Sequence, residues 1–193
     1  IINNMVSNIP GIHNVQNVLA VCAMASELGV PLNVIKSALD GFEGVNRRFS
    51  LIKNFKGVKI FDDYGHHPVE IKATLAAARE ISSNKVIAVV QPHRYSRLKM
   101  LFEEFTSAFN DADTVFITDI YAAGENKLKD MSNEILVNSL ISAGHKDPRA
   151  YDSKELKRIV ENNLQEGDIL VFLGAGDITN KAKLFVNEYL EER

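Results

Sequence analysis

After residue 49, short apolar runs alternate regularly with longer amphipathic segments, and this order constrains the fold more than any other feature of the chain. Val86–Val90 and Ile169–Leu173 are continuous apolar runs, which is typical of strands buried on both faces of a parallel sheet. The predicted strands are 49–52, 58–61, 86–90, 114–118 and 169–173, and the predicted helices are 68–81, 98–109, 132–143, 154–163 and 178–190. The alternation predicts an α/β fold with a doubly wound, mostly parallel, Rossmann-like sheet.

The first 46 residues follow a different, helical pattern. Apolar residues at helical spacing predict helices over 15–28 and 31–39, and Asn14 is placed to cap the first. Two helices cannot bury a core of their own, so we expect them to pack on preceding chain or on the following domain. Residues 44–49 have no periodicity and predict a linker. The chain begins at Ile1 without an initiator methionine, so we expect it to be a segment of a longer protein.

The composition excludes several classes of partner. With 22 basic and 25 acidic residues, a net charge of -3 gives no broad reason to bind nucleic acid or an anionic membrane. A single cysteine, Cys22, excludes disulfides and a cysteine-rich metal site and fits a reducing cytosol. No apolar run approaches the length of a membrane span, and the first residues do not resemble a secretory leader. We therefore predict a cytoplasmic protein.

Four polar clusters follow apolar strands, and parallel strands would bring all four to one edge of the sheet. The clusters are Asp62–His67, Gln91–Arg97, Asp119–Glu125 and Gly174–Asp177. Their convergence predicts a binding or catalytic site. An alternative interpretation is that Asp62 and Asp63 only cap the helix that begins at Pro68 and that the two histidines are solvated.

The cationic and glycine-rich loops allow two interpretations each. Arg94 and Arg97, three residues apart at a predicted helix start, suit a bidentate grip on carboxylate or phosphate, with the helix N-terminus adding its field; alternatively they are a solvated pair. Gly174-Ala175-Gly176 resembles a phosphate-binding turn but lacks a third glycine, so close packing of strand against helix explains these glycines better.

Amide and imidazole side chains give further candidates. Asn14 and Asn17 lie one turn apart and can present amides to a base edge, although with His13 they can equally form a cap and a solvated face. His66 and His67 lie beside two carboxylates, yet adjacent histidines on a turn diverge and no third ligand is evident. We rank metal binding below an acid–base or anion-binding role.

Taken together, these motifs resemble the Mur ligase family. The matching motifs are Gly11-Ile12-His13-Asn14-Val15-Gln16-Asn17, Arg47-Arg48-Phe49, Asp62-Asp63-Tyr64-Gly65-His66-His67-Pro68, Gln91-Pro92-His93-Arg94-Tyr95-Ser96-Arg97, Tyr121-Ala122-Ala123-Gly124-Glu125 and Gly174-Ala175-Gly176-Asp177-Ile178. The resemblance implies that residues 1–46 are the tail of the central ATP-binding domain and that residues 47–193 are the complete C-terminal domain. The sequence contains no Gly-Lys-Thr/Ser phosphate loop, which the family keeps upstream with its magnesium ligands. The resemblance therefore implies ATP and magnesium as cofactors, the remainder of the ligase as partner, and no turnover by this chain alone.

The resemblance also implies a reaction, the ATP-dependent ligation of L-alanine to UDP-N-acetylmuramate through an acyl phosphate in peptidoglycan synthesis. Residues that match the family's nucleotide site are His13, Asn14 and Asn17 beside adenine, and Arg48 and Asp63 beside ribose. Residues that match the substrate side are Tyr64, His66, Arg94 and Arg97, of which His66, Arg94 and Arg97 are the catalytic candidates. Because the attacking amine must be neutral, the imidazole of His66 can take its proton.

Three other functions remain open on the sequence. A recycling ligase that joins a tripeptide to UDP-N-acetylmuramate shares the Asp-Asp and His-His-Pro framework, but Tyr64-Gly65 and Arg94–Arg97 favour the alanine reaction. A non-catalytic nucleotide-binding module is supported by the missing phosphate loop. A nicotinamide dehydrogenase is weakened by the incomplete glycine pattern.

Overall fold

The protein is described by a computed structural model that covers residues 9–42 and 44–190. The strands are β1 (Ser50–Phe55), β2 (Val58–Asp63), β3 (Val86–Val90), β4 (Thr114–Ile117), β5 (Pro148–Ala150) and β6 (Ile169–Leu173). The helices are α1 (Ile12–Glu27), α2 (Leu32–Asp40), α3 (Pro68–Ile81), α4 (Tyr95–Met100), α5 (Phe102–Ser107), α6 (Asn133–Ser142), α7 (Ser153–Asn162) and α8 (Ile178–Leu190). In the described part of the chain, no helix is both long and apolar enough to cross a membrane.

The strands form one sheet in the order β1-β2-β6-β3-β4-β5, in which only β1 runs antiparallel to its neighbour. Helices cover both faces because alternate residues of each central strand face opposite sides. In β3, Ala88 packs in a core with Leu75 of α3, whereas Val89 packs in a second core with Phe185 of α8. This two-sided burial explains the continuous apolar runs and confirms the predicted doubly wound α/β fold.

Three local predictions were wrong. The single helix predicted over 98–109 is divided into α4 and α5 at Leu101, whose φ and ψ angles are -113° and 28°. Strand β5 was not predicted, because it is only three residues long and half-exposed. Asn14 does not cap α1: Gly11 occupies that position, and the Asn14 Nδ2 within the helix donates to the Pro10 carbonyl at 2.7 Å.

Asp62 and Asp63 do not cap the next helix either, because they are the last two residues of β2 and each is only 4% exposed. The Thr179 hydroxyl donates to Asp62 at 2.9 Å. The two Asp63 oxygens accept from the amides of Phe49 at 2.8 Å and Gly65 at 2.6 Å. Both carboxylates therefore connect β2 to distant backbone and side chains.

Helix α3 begins at Pro68 as predicted, and its cap is His67. The His67 Nδ1 accepts from the Val69 amide at 3.3 Å, while a Glu70 carboxylate oxygen accepts from the His67 amide at 3.1 Å. These reciprocal bonds satisfy donors at the helix start that have no partner within the helix.

The N-terminal helices bury far less than the sheet does. Cys22 and Ile35 are their buried residues, whereas Leu19, Met24 and Leu28 are 62%, 66% and 81% exposed. Helix α1 contacts α3, in agreement with the expectation that this pair packs on the following domain. The predicted domains 1–46 and 47–193 include residues 1–8, Glu43 and residues 191–193, which lie outside the described residues.

Candidate active site

The loops that follow β2, β3, β4 and β6 lie together at the carboxyl edge of the sheet, because these four strands are adjacent and parallel. Backbone hydrogen bonds join the loops to each other. The Tyr121 amide donates to the Pro92 carbonyl and the Arg94 amide donates to the Tyr121 carbonyl, both at 2.8 Å. The Gly174 amide donates to the Asp63 carbonyl at 3.1 Å. The predicted convergence of the polar clusters is thus present.

A row of four rings runs along this edge. The centroids of Tyr64 and His66 are 5.4 Å apart in an edge-to-face arrangement, and those of His66 and His93 are 5.5 Å apart. His93 stacks on Tyr121 with centroids 5.4 Å apart and an angle of 18° between the ring planes. Three strand-end loops therefore contribute to one continuous surface of rings.

Arg97 is turned toward this row. Its Nη1 lies 3.2 Å from the His93 Nδ1 and 3.2 Å from the His93 carbonyl oxygen. Burial lowers the pKa of His93, and the positive charges of His66, Arg97 and Arg94 lower that pKa further. A neutral His93 ring leaves Nδ1 free to accept the guanidinium N–H.

Arg94 is exposed and lies at the N-cap of α4 with a φ angle of 71°. The start of α4 is already occupied by a carboxylate of the protein: Glu125 accepts from the Ser96 amide at 3.0 Å and from the Ser96 hydroxyl at 2.5 Å. The expectation that this helix start adds to anion binding is therefore wrong. The predicted grip of Arg94 and Arg97 on an anion would therefore depend on their side chains.

His66 is oriented by two acceptors. Its Nδ1 lies 3.1 Å from the Tyr64 carbonyl oxygen and 3.6 Å from a Glu70 carboxylate oxygen. Burial would raise the pKa of Glu70, but the amides of His66 and His67 and the charges of His66 and Arg48 lower it overall. A charged Glu70 therefore favours a proton on the His66 Nδ1 and leaves Nε2 free to accept one.

Arg47 contacts the same edge, although the sequence analysis did not select it as a site residue. Its guanidinium carbon lies 4.7 Å from the centroid of the Tyr64 ring, and its Nη2 donates to the Gly174 carbonyl at 2.7 Å. The Tyr64 amide donates to the Arg47 carbonyl at 2.7 Å. Its place in the Arg47-Arg48-Phe49 motif was the available signal. His93 and Tyr121 were also inside quoted motifs but were not selected.

A cavity of about 740 Å³ lies between the N-terminal helices and α3, and it brings together the five residues predicted to bind nucleotide. These residues are His13, Asn14, Asn17, Arg48 and Asp63. Apolar side chains that include Val18 and Ala73 complete the lining. The size and mixed lining suit a flat heterocycle with polar edges.

His13 and Asp63, two polar residues of this cavity, differ in their hydrogen bonding and in their charge. The His13 Nδ1 is buried and has no hydrogen-bond partner among the described residues. Burial raises the pKa of Asp63, although the backbone amides of Gly65 and Phe49 oppose the rise. Within residues 9–42 and 44–190, no group of three or more His, Cys, Asp or Glu side chains is placed to hold a metal ion.

An α/β sheet with clustered polar loops at the carboxyl ends of its strands and a large cavity beside them is typical of α/β proteins that bind ligands. The family described as "Mur ligase, glutamate ligase domain" matches residues 47–176. The chain therefore belongs to the Mur ligase family.

Relatives of known name agree with this family. The UDP-N-acetylmuramate–L-alanine ligase of Chelativorans sp. (strain BNC1) is 53% identical over 174 residues, which cover 90% of this chain and 37% of the relative. The ligase of the same name from Bartonella henselae is 50% identical over 188 residues, which cover 97% of this chain and 40% of the relative. The crystal structure of UDP-N-acetylmuramate-alanine ligase from Thermotoga maritima superposes with a TM-score of 0.78 at 32% identity. The superposition covers 98% of this chain and 40% of that structure's chain. The chain thus spans roughly two fifths of the length of these relatives.

Proposed function

We propose that this chain is the C-terminal part of an ATP-dependent ligase that joins L-alanine to UDP-N-acetylmuramate in peptidoglycan synthesis. Relatives with about half of their aligned residues identical carry that name. The observation that carries the proposal is the cluster of Tyr64, His66, His93 and Arg97 at the carboxyl edge of the sheet. The enzyme would act in the cytoplasm and serve cell-wall synthesis, cell shape and division.

We assign residues 1–46 to the tail of the central ATP-binding domain and residues 47–193 to the C-terminal domain. The contacts of Phe49 support a boundary just before it, because its ring stacks on Phe61 at 4.2 Å between centroids and its amide binds Asp63. Arg47 and Phe49 have φ angles of 61° and 50°, so the backbone bends sharply where it joins the sheet.

Nucleotide would bind in the large cavity, with His13, Asn14 and Asn17 beside adenine and Arg48 and Asp63 beside ribose. The unpaired His13 Nδ1 supports this placement, because a base edge can supply the missing partner. A carboxylate has about four acceptor positions, so Asp63 can still accept from a ribose hydroxyl beside its two amide bonds. ATP supplies the phosphoryl group that activates the muramate carboxylate, and the magnesium ligands would lie upstream of this chain.

At the sheet edge, Arg94 and Arg97 would hold carboxylate or phosphate oxygens of the substrates. His66, oriented by Glu70, would accept the proton that the amine of L-alanine must lose before it attacks. Fixed cations at this edge stabilise the negative charge of the tetrahedral intermediate. Because the sequence contains no phosphate loop, we expect the isolated chain to be inactive without the rest of the ligase.

The test uses the full-length protein that contains this chain. We expect phosphate release that requires ATP, UDP-N-acetylmuramate and L-alanine together, and little release when a tripeptide replaces L-alanine. Arg97→Lys should raise KM for L-alanine by about 10-fold, since an ammonium cannot reproduce the planar fork. Arg158→Lys is the matched control, because the Arg158 side chain is 72% exposed on α7. Absence of alanine-dependent phosphate release would overturn the proposal.

A further inference from the structure

A second cavity, of about 260 Å³, lies at the same sheet edge. Its polar lining includes Gln91, Thr118, Asp119, Asn133, Asp177 and Lys181. Tyr121 also lines this cavity, and Tyr121 is the last ring of the row that contains His66 and His93. The cavity therefore adjoins the proposed amino-acid site through the Tyr121 ring, which stacks on His93.

Contacts on several sides position the Tyr121 ring, although 39% of the residue is exposed. Backbone bonds pair Tyr121 with the loop after β3, and the ring stacks on His93. Gly176 leaves the space that the ring occupies, because a Cβ at that position would lie 2.5 Å from the Tyr121 Cγ. A ring held in this way can form a boundary between the cavity and the row of rings.

The cavity lined by Tyr121 is rich in hydrogen-bond acceptors. Gln91 is 3% exposed, and its Nε2 donates to Asp177 at 2.5 Å, but its Oε1 has no partner among the described residues. Burial opposes ionisation of Asp177, yet the Gln91 bond and the charge of Lys181 lower its pKa overall. The cavity lining thus contains the carboxylates of Asp119 and Asp177, the unpaired amide oxygen of Gln91 and the ammonium group of Lys181, which lies 3.5 Å from Asp177. The lining favours a ligand group that donates hydrogen bonds.

We propose that Tyr121 determines amino-acid specificity by separating the amino-acid site from this acceptor-rich cavity. The inference rests on the proposed function, because it requires the amino acid to bind beside His66 and His93. With the ring in place, the site admits a small side chain such as that of alanine. Without the ring, a longer side chain can extend toward Gln91 and Asp177, and an amine-bearing side chain finds acceptors there.

The experiment measures kcat/KM of the full-length ligase for L-alanine, L-norvaline and L-2,4-diaminobutyrate, the last two having side chains of nearly equal length. In Tyr121→Ala, we expect the ratio of diaminobutyrate to alanine to rise by at least about 10-fold, a usual scale for discrimination by a side-chain pocket. We expect a smaller rise for norvaline, which cannot donate to the Gln91 Oε1. Equal rises for the two longer substrates would overturn the proposed role of the cavity.

Two further variants separate specificity from folding. Tyr121→Phe keeps the ring and should keep the wild-type selectivity. Tyr121→Leu removes the ring but retains apolar volume, so it should shift selectivity in the same direction as Tyr121→Ala even if the alanine variant is too unstable to assay. Wild-type selectivity in a folded Leu variant, with normal alanine turnover by the wild type, would overturn this inference alone. Failure of the wild type to use alanine would overturn the proposed function as well.

Discussion

The two edges of the sheet differ in how their charged side chains are arranged. At the amino edge, Asp113 accepts from Arg79 at 2.6 Å, from Lys146 at 3.1 Å and from the Val86 amide at 3.0 Å. Asp168 similarly accepts from backbone amides at 2.7 Å on each of its oxygens. Both of these carboxylates are therefore matched by donors within the protein.

At the carboxyl edge, Arg94 and Arg97 lie near the imidazoles of His66 and His93, beside the carboxylate of Glu125. Burial lowers the pKa of His93, and the charges of His66, Arg97 and Arg94 lower it further, against the opposing charge of Glu125. Matched charges stabilise a fold, whereas unmatched charges are available to a ligand. We therefore expect substitutions at the amino edge to affect mainly stability and substitutions at the carboxyl edge to affect mainly activity.

The largest effect is expected at the carboxyl edge. His66→Ala in the full-length ligase should lower kcat by about 10³-fold, as for loss of a general base, while ATP binding stays unchanged. The free energy of unfolding should change by less than about 1 kcal/mol, because the ring is not part of either apolar core. Steady-state kinetics and denaturant unfolding measure the two quantities. Unchanged turnover would remove His66 from the mechanism.

At the amino edge, Arg79→Ala should lower the stability of the protein more than its activity. The guanidinium donates to the carbonyls of Asp111 and Asn84 as well as to Asp113, so its loss should cost about 3 kcal/mol of unfolding free energy. Urea unfolding measures this cost. Arg158→Ala, at an exposed arginine, is the control and should cost below about 0.5 kcal/mol. Equal costs for the two variants would contradict the assigned role of the amino edge.

Lowering the pH should weaken the interactions of Asp113 at the amino edge. Burial opposes ionisation of Asp113, but the bonds from Arg79, Val86 and Lys146 lower its pKa to about 2, from an ordinary value of 3.8. A lowered native pKa gives stability that is present above about pH 4 and is lost as the pH falls toward 2, in total about 2 kcal/mol. The difference in unfolding free energy between wild type and Asp113→Asn should therefore shrink between pH 6 and pH 2. A difference that stays constant with pH would contradict this account.

The smallest effect is expected at an exposed ion pair. Lys99 and Asp130 lie 2.6 Å apart, but their side chains are 56% and 57% exposed. Lys99→Ala should change the unfolding free energy by less than about 0.5 kcal/mol, because water and salt screen exposed pairs. Unfolding at low and high salt measures this. A loss above about 1 kcal/mol, the upper end for exposed pairs, would show that ion pairs outside the two edges also hold the fold.

The central sheet could be predicted from the sequence because its signals are local. The apolar runs at β3 and β6 gave the observed bounds of both strands, and Pro68 marked the start of α3. The division at Leu101 was missed because the apolar pattern continues through it: Leu98 and Phe105 pack in the same core on either side. At Leu101, tertiary packing rather than sequence periodicity determines the backbone conformation.

The meeting of the loops was predictable, but the residues in contact there were predicted only in part, because Arg47, His93 and Tyr121 were not selected. The loops were expected to converge, since this follows from parallel strands alone. The bond between Ser96 and Glu125 joins residues 29 apart, and the bond between Phe49 and Asp63 joins residues 14 apart. No local pattern reports such pairings. The roles of the individual site residues therefore stay predictions.

The outermost strands affect how copies of this protein meet in solution. Strand β5 is three residues long, begins with a proline that cannot donate a ladder bond, and carries Arg149, which pairs with Asp147 and Glu155. At the opposite margin, the register of β1 is interrupted between Leu51 and Lys53. Among residues 9–42 and 44–190, neither margin presents a long, regular row of donors and acceptors to a strand of another molecule. The sheet is thus protected against template-driven aggregation at high concentration.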